Sequence, residues 1–126
     1  MTAKPVKIPG PGHPITIEKN PRRVVVSAGG RAVADTRAAL TLREAGYAPV
    51  QYIPREDVDM SLLARAAHQT WCPYKGDCSY YSIAPGGERS VNAAWTYENP
   101  HRAVAAIRNH VAFYPGRVDS IEERAD

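Results

Sequence analysis

"DTRAALTLREAGYAPV", residues 35–50, is the stretch on which the fold class turns. Asp35 suits a helix N-cap, the alanines and leucines favour a helix, and Gly46 sits where helices end. Ala38, Leu40 and Leu42 nevertheless alternate with Ala39, Thr41 and Arg43, which is strand spacing. Propensity alone leans towards the helix, and the segments on either side have to be weighed before it can be read.

Those segments are β-like. Before it, "PITIEKNP" (14–21) alternates Ile15, Thr16, Ile17 and Glu18 and stops at Asn20-Pro21. "RRVVVSAGGRAVAD" (22–35) reads as two short strands about Gly29-Gly30, since paired glycines supply the positive φ of a tight hairpin and Val24, Val25 and Val26 suit a strand. After it, "YIPREDVDMSLL" (52–63) starts a helical turn at Pro54, with Glu56 and Asp57 at the end of the dipole that favours acids. "CSYYSIAPGGERSVNAAWTYENP" (78–100) reads as two strands joined across Gly86-Gly87, and "VAFYPGRVDSI" (111–121) as a closing strand pair about Pro115-Gly116. The one clear helix signal is "NPHRAVAAIRNHVAF" (99–113). Asn99 is placed as N-cap, Pro100 as first helical residue, and Val104, Ile107 and Val111 share a face. The expectation is a mainly β (β-rich α+β) domain with one short helix near 100–109.

At 126 residues the chain has the size of one domain. Residues 1–13, with Pro5, Pro9, Pro11, Gly10 and Gly12, read as a flexible leader, 14–122 as the domain and 123–126 as a tail. No apolar run approaches the ~20 residues of a membrane helix. The N-terminus also lacks a signal-peptide core, which makes the cytoplasm the expected compartment and a membrane an unexpected partner. A net charge of +3 comes partly from Arg22, Arg23, Arg31, Arg37 and Arg43, which are scattered rather than clustered, and this argues against a nucleic-acid partner.

The chemistry concentrates in "HQTWCPYKGDCSYYSI" (68–83), with two cysteines and three tyrosines. Cys72 and Cys78 are not the two close ligand pairs of structural zinc, so no metal is expected. Gly29-Gly30-Arg31 lacks the Lys and hydroxyl of a phosphate loop, and no other motif asks for a cofactor. A hairpin turning at Tyr74-Lys75-Gly76 would bring the cysteines within disulfide range, although a cytosolic chain keeps them reduced. Cys72, held extended by Pro73, is either a packed thiol or a nucleophile whose thiolate Lys75 and His68 would favour. Tyr80 and Tyr81 point to opposite faces of a strand. Trp95 and Tyr97 share one face of a later strand, and aromatics with a few polar groups are how small-molecule pockets are built. Asp57 and Asp59 have the spacing that metal-dependent nucleotidyl transfer would use on a strand, but diverge if the turn is helical.

"HPITI" (13–17), residues 29–63, "TWCPYKGDCSYYSI" (70–83), "NAAWTYENP" (92–100) and "AIRNHVAFYPGRVD" (106–119) occur in an order that resembles the bacterial family of domain of unknown function 427 (DUF427), sometimes labelled nucleotidyltransferase-like. The resemblance implies a small bent antiparallel sheet, similar to the β-tent of the Mss4 and methionine sulfoxide reductase B group, and turns "RAALTLRE" (37–44) from helix to strand. Its pattern touches Arg55, Cys72, Pro73, Lys75, Gly76, Asp77, Tyr80, Trp95 and Tyr97. Cys78 stands where relatives usually carry Ala, so a Cys72–Cys78 pair would be peculiar to this chain.

The leading expectation is a pocket beside the CPYKGD turn that binds a small polar or anionic metabolite. Arg55 and Lys75 would supply positive charge, Asp77 would orient the ligand or accept a hydrogen bond, Tyr80 and Trp95 would form the wall, and His68 and Tyr97 complete the set of ligand-binding candidates. Cys72 is the candidate nucleophile. The alternatives are an interaction module whose aromatics pack a core or a homo-oligomer interface, and nucleotidyl transfer through Asp57 and Asp59.

Overall fold

The computed structural model describes residues 4–126. Among the described residues ten strands form two antiparallel sheets. The first five are β1 (Ile15–Lys19), β2 (Arg23–Ala28), β3 (Arg31–Thr36), β4 (Leu40–Glu44) and β5 (Val50–Pro54). They are followed by β6 (Leu63–Cys72), β7 (Gly76–Ile83), β8 (Ala94–Thr96), β9 (His110–Phe113) and β10 (Ser120–Arg124). The larger sheet has the order β1-β4-β5-β9-β8-β7-β6 and the smaller one β10-β2-β3.

The ambiguous stretch is strand. β4 is hydrogen-bonded to β1 on one side (Ile17↔Leu42) and to β5 on the other (Leu42↔Val50). Two ladders outweigh a helix propensity worth a few tenths of a kcal/mol per residue. Gly46, at φ 79°, turns the chain back towards β5. The Gly29-Gly30 hairpin also forms as read, with φ of 59° and 77° and register Ala28↔Arg31.

Period-two alternation splits the interior into two cores. Val24, Val26 and Val33 of the small sheet pack on Ile53, Tyr81, Ile83, Val111 and Phe113 of the large one. Their strand neighbours Tyr52, Tyr80 and Ala112 face the other side, with Leu42, Cys78 and Tyr97, under Val104 and Ile107.

Three expectations are corrected. The helix near 100–109 is a 3-10 segment, Arg102–Ile107, kinked at Val104. Asn99 does not cap it: His101 takes that position without a side-chain bond, and its N–H donates to Lys75 O at 2.9 Å. Asn109, at φ 59°, then turns the chain into β9, leaving too few residues for a stable α-helix. Val111 therefore belongs to a strand. Pro115-Gly116 does not join a strand pair either, because the Pro115–Arg117 turn carries the chain from β9 in one sheet to β10 in the other. Finally, the proposed tail begins inside a strand, since Glu123 and Arg124 pair with Val24 and Arg23. The first three residues of the proposed leader lie outside the described ones. The rest docks, with Lys7 N–H bonded to Pro73 O at 3.0 Å and a bridge between Gly10 and His13. No helix among the described residues is long and apolar enough to cross a membrane.

Candidate functional site

β5 and β9 are joined only by Ile53↔Val111 and Pro54↔His110. Beyond these pairs a cavity of about 960 Å³ lies between Val50, Gln51 and Tyr52 on one side and Phe113, Tyr114 and the start of β10 on the other. It reaches the β6–β7 turn, where Cys72 and Lys75 line it, and its walls include Tyr80, Trp95 and Tyr97. The cavity is thus a gap in the sheet rather than a hollow on top of it.

The polar end is built by the turn. Lys75 N–H bonds to Cys72 O at 3.3 Å, and Gly76 leaves the turn at φ 112°. A Cβ at Gly76 would also sit 3.3 Å from Asn99 O and 3.5 Å from the His101 ring, so glycine is favoured on both counts. Lys75 is turned inward and is only 7% exposed. Its Nζ lies 2.5 Å from Glu44 Oε1 and 3.8 Å from Cys72 Sγ. The second Glu44 oxygen is 2.6 Å from His13 Nε2, and the His13 ring stacks on Tyr74 at 4.0 Å. Burial alone would raise the Glu44 pKa, but the hydrogen bonds from Lys75 and His13 outweigh it and hold the carboxyl below its ordinary range.

The aromatic walls are fixed by their own contacts. The Trp95 indole N–H donates to Tyr52 Oη at 3.2 Å, and its ring lies 4.4 Å from that of Tyr114. Tyr80 Oη and Thr70 Oγ1 are 2.9 Å apart. Burial pushes the phenols of Tyr52, Tyr80 and Tyr97 well above their ordinary pKa, so all three present neutral hydroxyls. Burial likewise pushes up the Cys78 thiol, which lies on the same side of β7 as Tyr80.

Of the residues singled out from sequence, Cys72, Lys75, Tyr80, Trp95 and Tyr97 meet in this cavity. His68 does not line it. A bulge between Arg65 and Gln69 lets its ring pack on Tyr80 at 4.6 Å, in support of the wall. Asp77 faces away, with its side chain 86% exposed and Lys4 Nζ at 3.7 Å. Arg55 lies in a separate hollow beside Tyr81. Cys72 is opposite Gly76 while Cys78 is opposite Thr70, so the two cysteines do not face each other, and both are free thiols.

Sequence reasoning missed Glu44, His13 and Tyr52. Glu44 had a signal: it continues the parity of Leu40 and Leu42, an acid on the apolar side of its strand. Asp57 and Asp59 are engaged locally. Thr36 Oγ1 donates to Asp57 at 2.7 Å, and Asp59 accepts the backbone N–H of Ser61 at 3.1 Å. Among the described residues no group of three or more His, Cys, Asp or Glu side chains is placed to hold a metal ion.

No curated protein matches this chain. A family profile described as a domain of unknown function (DUF427) matches residues 16–124, spanning every element that builds the cavity except His13 and β1's first residue. The chain belongs to the DUF427 family.

Proposed function

We propose that this domain binds a small molecule with a flat, largely apolar body and a polar head in the cavity between β5 and β9. The observation that carries the reading is the buried Lys75–Glu44 pair, with the Cys72 thiol beside it, facing an aromatic-walled space of about 960 Å³. Ligand pockets commonly occupy ~300–1,000 Å³ and combine apolar walls with a few fixed polar groups. Because Glu44 already neutralises Lys75, the head is polar rather than strongly anionic. Trp95 and Tyr80 offer ring faces for stacking, and the neutral phenols offer hydrogen bonds.

The same placement supports thiol chemistry. If the head carries an electrophilic carbonyl carbon, Cys72 loses its proton to solvent in the open cavity and its sulfur bonds to that carbon. The carbonyl π pair moves to oxygen, where the Lys75 ammonium stabilises it by a charge-assisted hydrogen bond.

Ligand-observed NMR with a panel of monocyclic and bicyclic aromatic amides and aldehydes tests the binding. Saturation transfer to panel members is expected for the native chain and its loss for Val50→Trp, which fills the cavity. Circular dichroism verifies that the variant folds. No transfer to any member, or equal transfer with both proteins, would overturn the reading.

A further inference from the structure

On β7, Tyr80 faces the cavity and Tyr81 faces the other way. Beside Tyr81 lies a second hollow of about 370 Å³, lined by Arg55, Arg65, Arg108 and Glu98 among others. Three arginines therefore line one space against a single acidic residue. Arg65 is the guanidinium that Glu98 neutralises, at 2.7 Å, and it also donates to Ser79 Oγ at 2.9 Å. The Arg65 hydrogen bond holds the Glu98 carboxyl below its ordinary pKa, so this one negative charge is present at neutral pH.

Arg55 and Arg108 have no such partner: among the described residues neither is in an ion pair. Arg55 gives one N–H to Tyr81 Oη at 2.9 Å, and Arg108 gives one to Asn99 Oδ1 at 3.3 Å. Each keeps the rest of its five donors. Both are anchored where the backbone is tied, since Arg55 N–H bonds to Asn109 O at 2.8 Å next to Arg108. The Arg55 and Arg65 guanidinium carbons lie 5.7 and 6.0 Å from the Tyr81 ring centre, so both cations sit within cation–π range of one aromatic ring. Bringing three like charges around one opening costs Coulomb energy that an anion there would reverse.

We propose that this hollow is a binding site for a phosphate group, of the kind carried by a small phosphate monoester or diphosphate. Guanidinium forks match phosphate oxygens two at a time, and two of them with free donors suit a dianion. The volume admits a phosphate with a few further atoms. The site is distinct from the Lys75 cavity, whose cation is already neutralised, and it does not depend on the reading of that cavity.

Inorganic pyrophosphate, titrated by calorimetry at constant ionic strength, tests the assignment. Saturable one-to-one binding is expected. Arg55→Gln and Arg108→Gln are each expected to weaken it about tenfold, the worth of a lost charge-assisted hydrogen bond. Glu98→Gln is expected to tighten it, and Arg43→Gln, at an exposed arginine of β4 outside the hollow, to leave it unchanged. Arg55→Lys retains the charge without the fork, so weakening in that variant supports bidentate recognition. Absence of saturable binding, the same heat from sodium chloride at matched ionic strength, or unchanged affinity in both Gln variants would overturn the proposal. So would binding of a short single-stranded RNA by a protein that does not bind pyrophosphate.

Discussion

Lys75 places its ammonium 2.5 Å from the Glu44 carboxylate, and their side chains are 9% and 11% exposed. Glu44 ends β4 and Lys75 sits in the β6–β7 turn, so the two are far apart in sequence and meet because that turn leans over the end of β4. Breaking such a pair from one side strands a charge away from water. Lys75→Met is expected to cost about 2–4 kcal/mol, somewhat under the ~3–5 of a fully buried pair because His13 still holds Glu44. Lys75→Met with Glu44→Leu is expected to recover much of that loss. Urea unfolding of the two single variants and the double one gives the coupling directly.

Acid sensitivity follows from the same carboxylate. In the unfolded chain Glu44 takes up its proton near pH 4.5, and in the folded protein below that. In the interval between them the unfolded state binds more protons, so stability falls as pH drops. The Glu44 contribution is therefore complete above about pH 5 and is lost as pH falls through the folded value. Melting temperatures from pH 6 to 3 are expected to fall less steeply for Glu44→Gln than for the native chain, although the variant starts lower. Asp35 and Glu98, also depressed by their arginine partners, titrate in both proteins and cancel in the comparison.

The two thiols are expected to separate cleanly. Cys72 lines the cavity, whereas Cys78 is 2% exposed and its thiol is pushed up by burial. Iodoacetamide at mildly alkaline pH is expected to label Cys72 in the folded protein and Cys78 only in denaturant. Peptide mass spectrometry reads both sites at once. Equal labelling of Cys78 under native conditions would mean that β7 opens far more readily than its pairing with both β6 and β8 implies.

How much of this was legible depends on the range of the interaction. The Gly29-Gly30 hairpin and the opposed faces of Tyr80 and Tyr81 follow from rules acting over a few residues, and they are found as read. The outward direction of Asp77 was readable too: it is one residue out of step with Cys78 and Tyr80, so alternation sends it away from their side. The Lys75–Glu44–His13 chain was not legible, because it needs β1 beside β4 and the leader docked on the β6–β7 turn. That Arg55 lies at a different opening from Lys75 was not legible for a similar reason. Nothing near it in sequence shows that β5 ends beside Tyr81.

Gly29 and Gly30 share a turn but are expected to differ sharply on substitution. Both have positive φ, so alanine at either costs about 1–2 kcal/mol of left-handed strain. At Gly30 a Cβ would meet nothing within 4 Å, whereas at Gly29 it would lie 1.9 Å from Pro85 O. Gly30→Ala is therefore expected to fold with a modest loss. Gly29→Ala must push the Ala84–Ser90 segment off the small sheet and is expected to lose at least twice as much, or to fail to fold. Urea midpoints of the two variants measure the difference.

The end of the chain offers a test of where the domain stops. β10 is paired with β2 along its length, from Ser120↔Ser27 to Arg124↔Arg23. Glu123 Oε1 also accepts from Asn20 Nδ2 at 2.7 Å, and the same amide nitrogen donates to Gln51 Oε1 at 3.0 Å. Asn20 is buried, so removing Glu123 leaves one of its donors short of a partner in a place water reaches poorly. A chain ending at Glu122 is expected to lose about 1–3 kcal/mol, combining that bond with two ladder positions. Asn20→Ala is expected to cost clearly less in the truncated chain than in the full one, because the bond it removes is already broken. If truncation leaves the urea midpoint unmoved, residues 123–126 are a tail after all, and the Asn20–Glu123 contact contributes nothing to holding β10 on the small sheet.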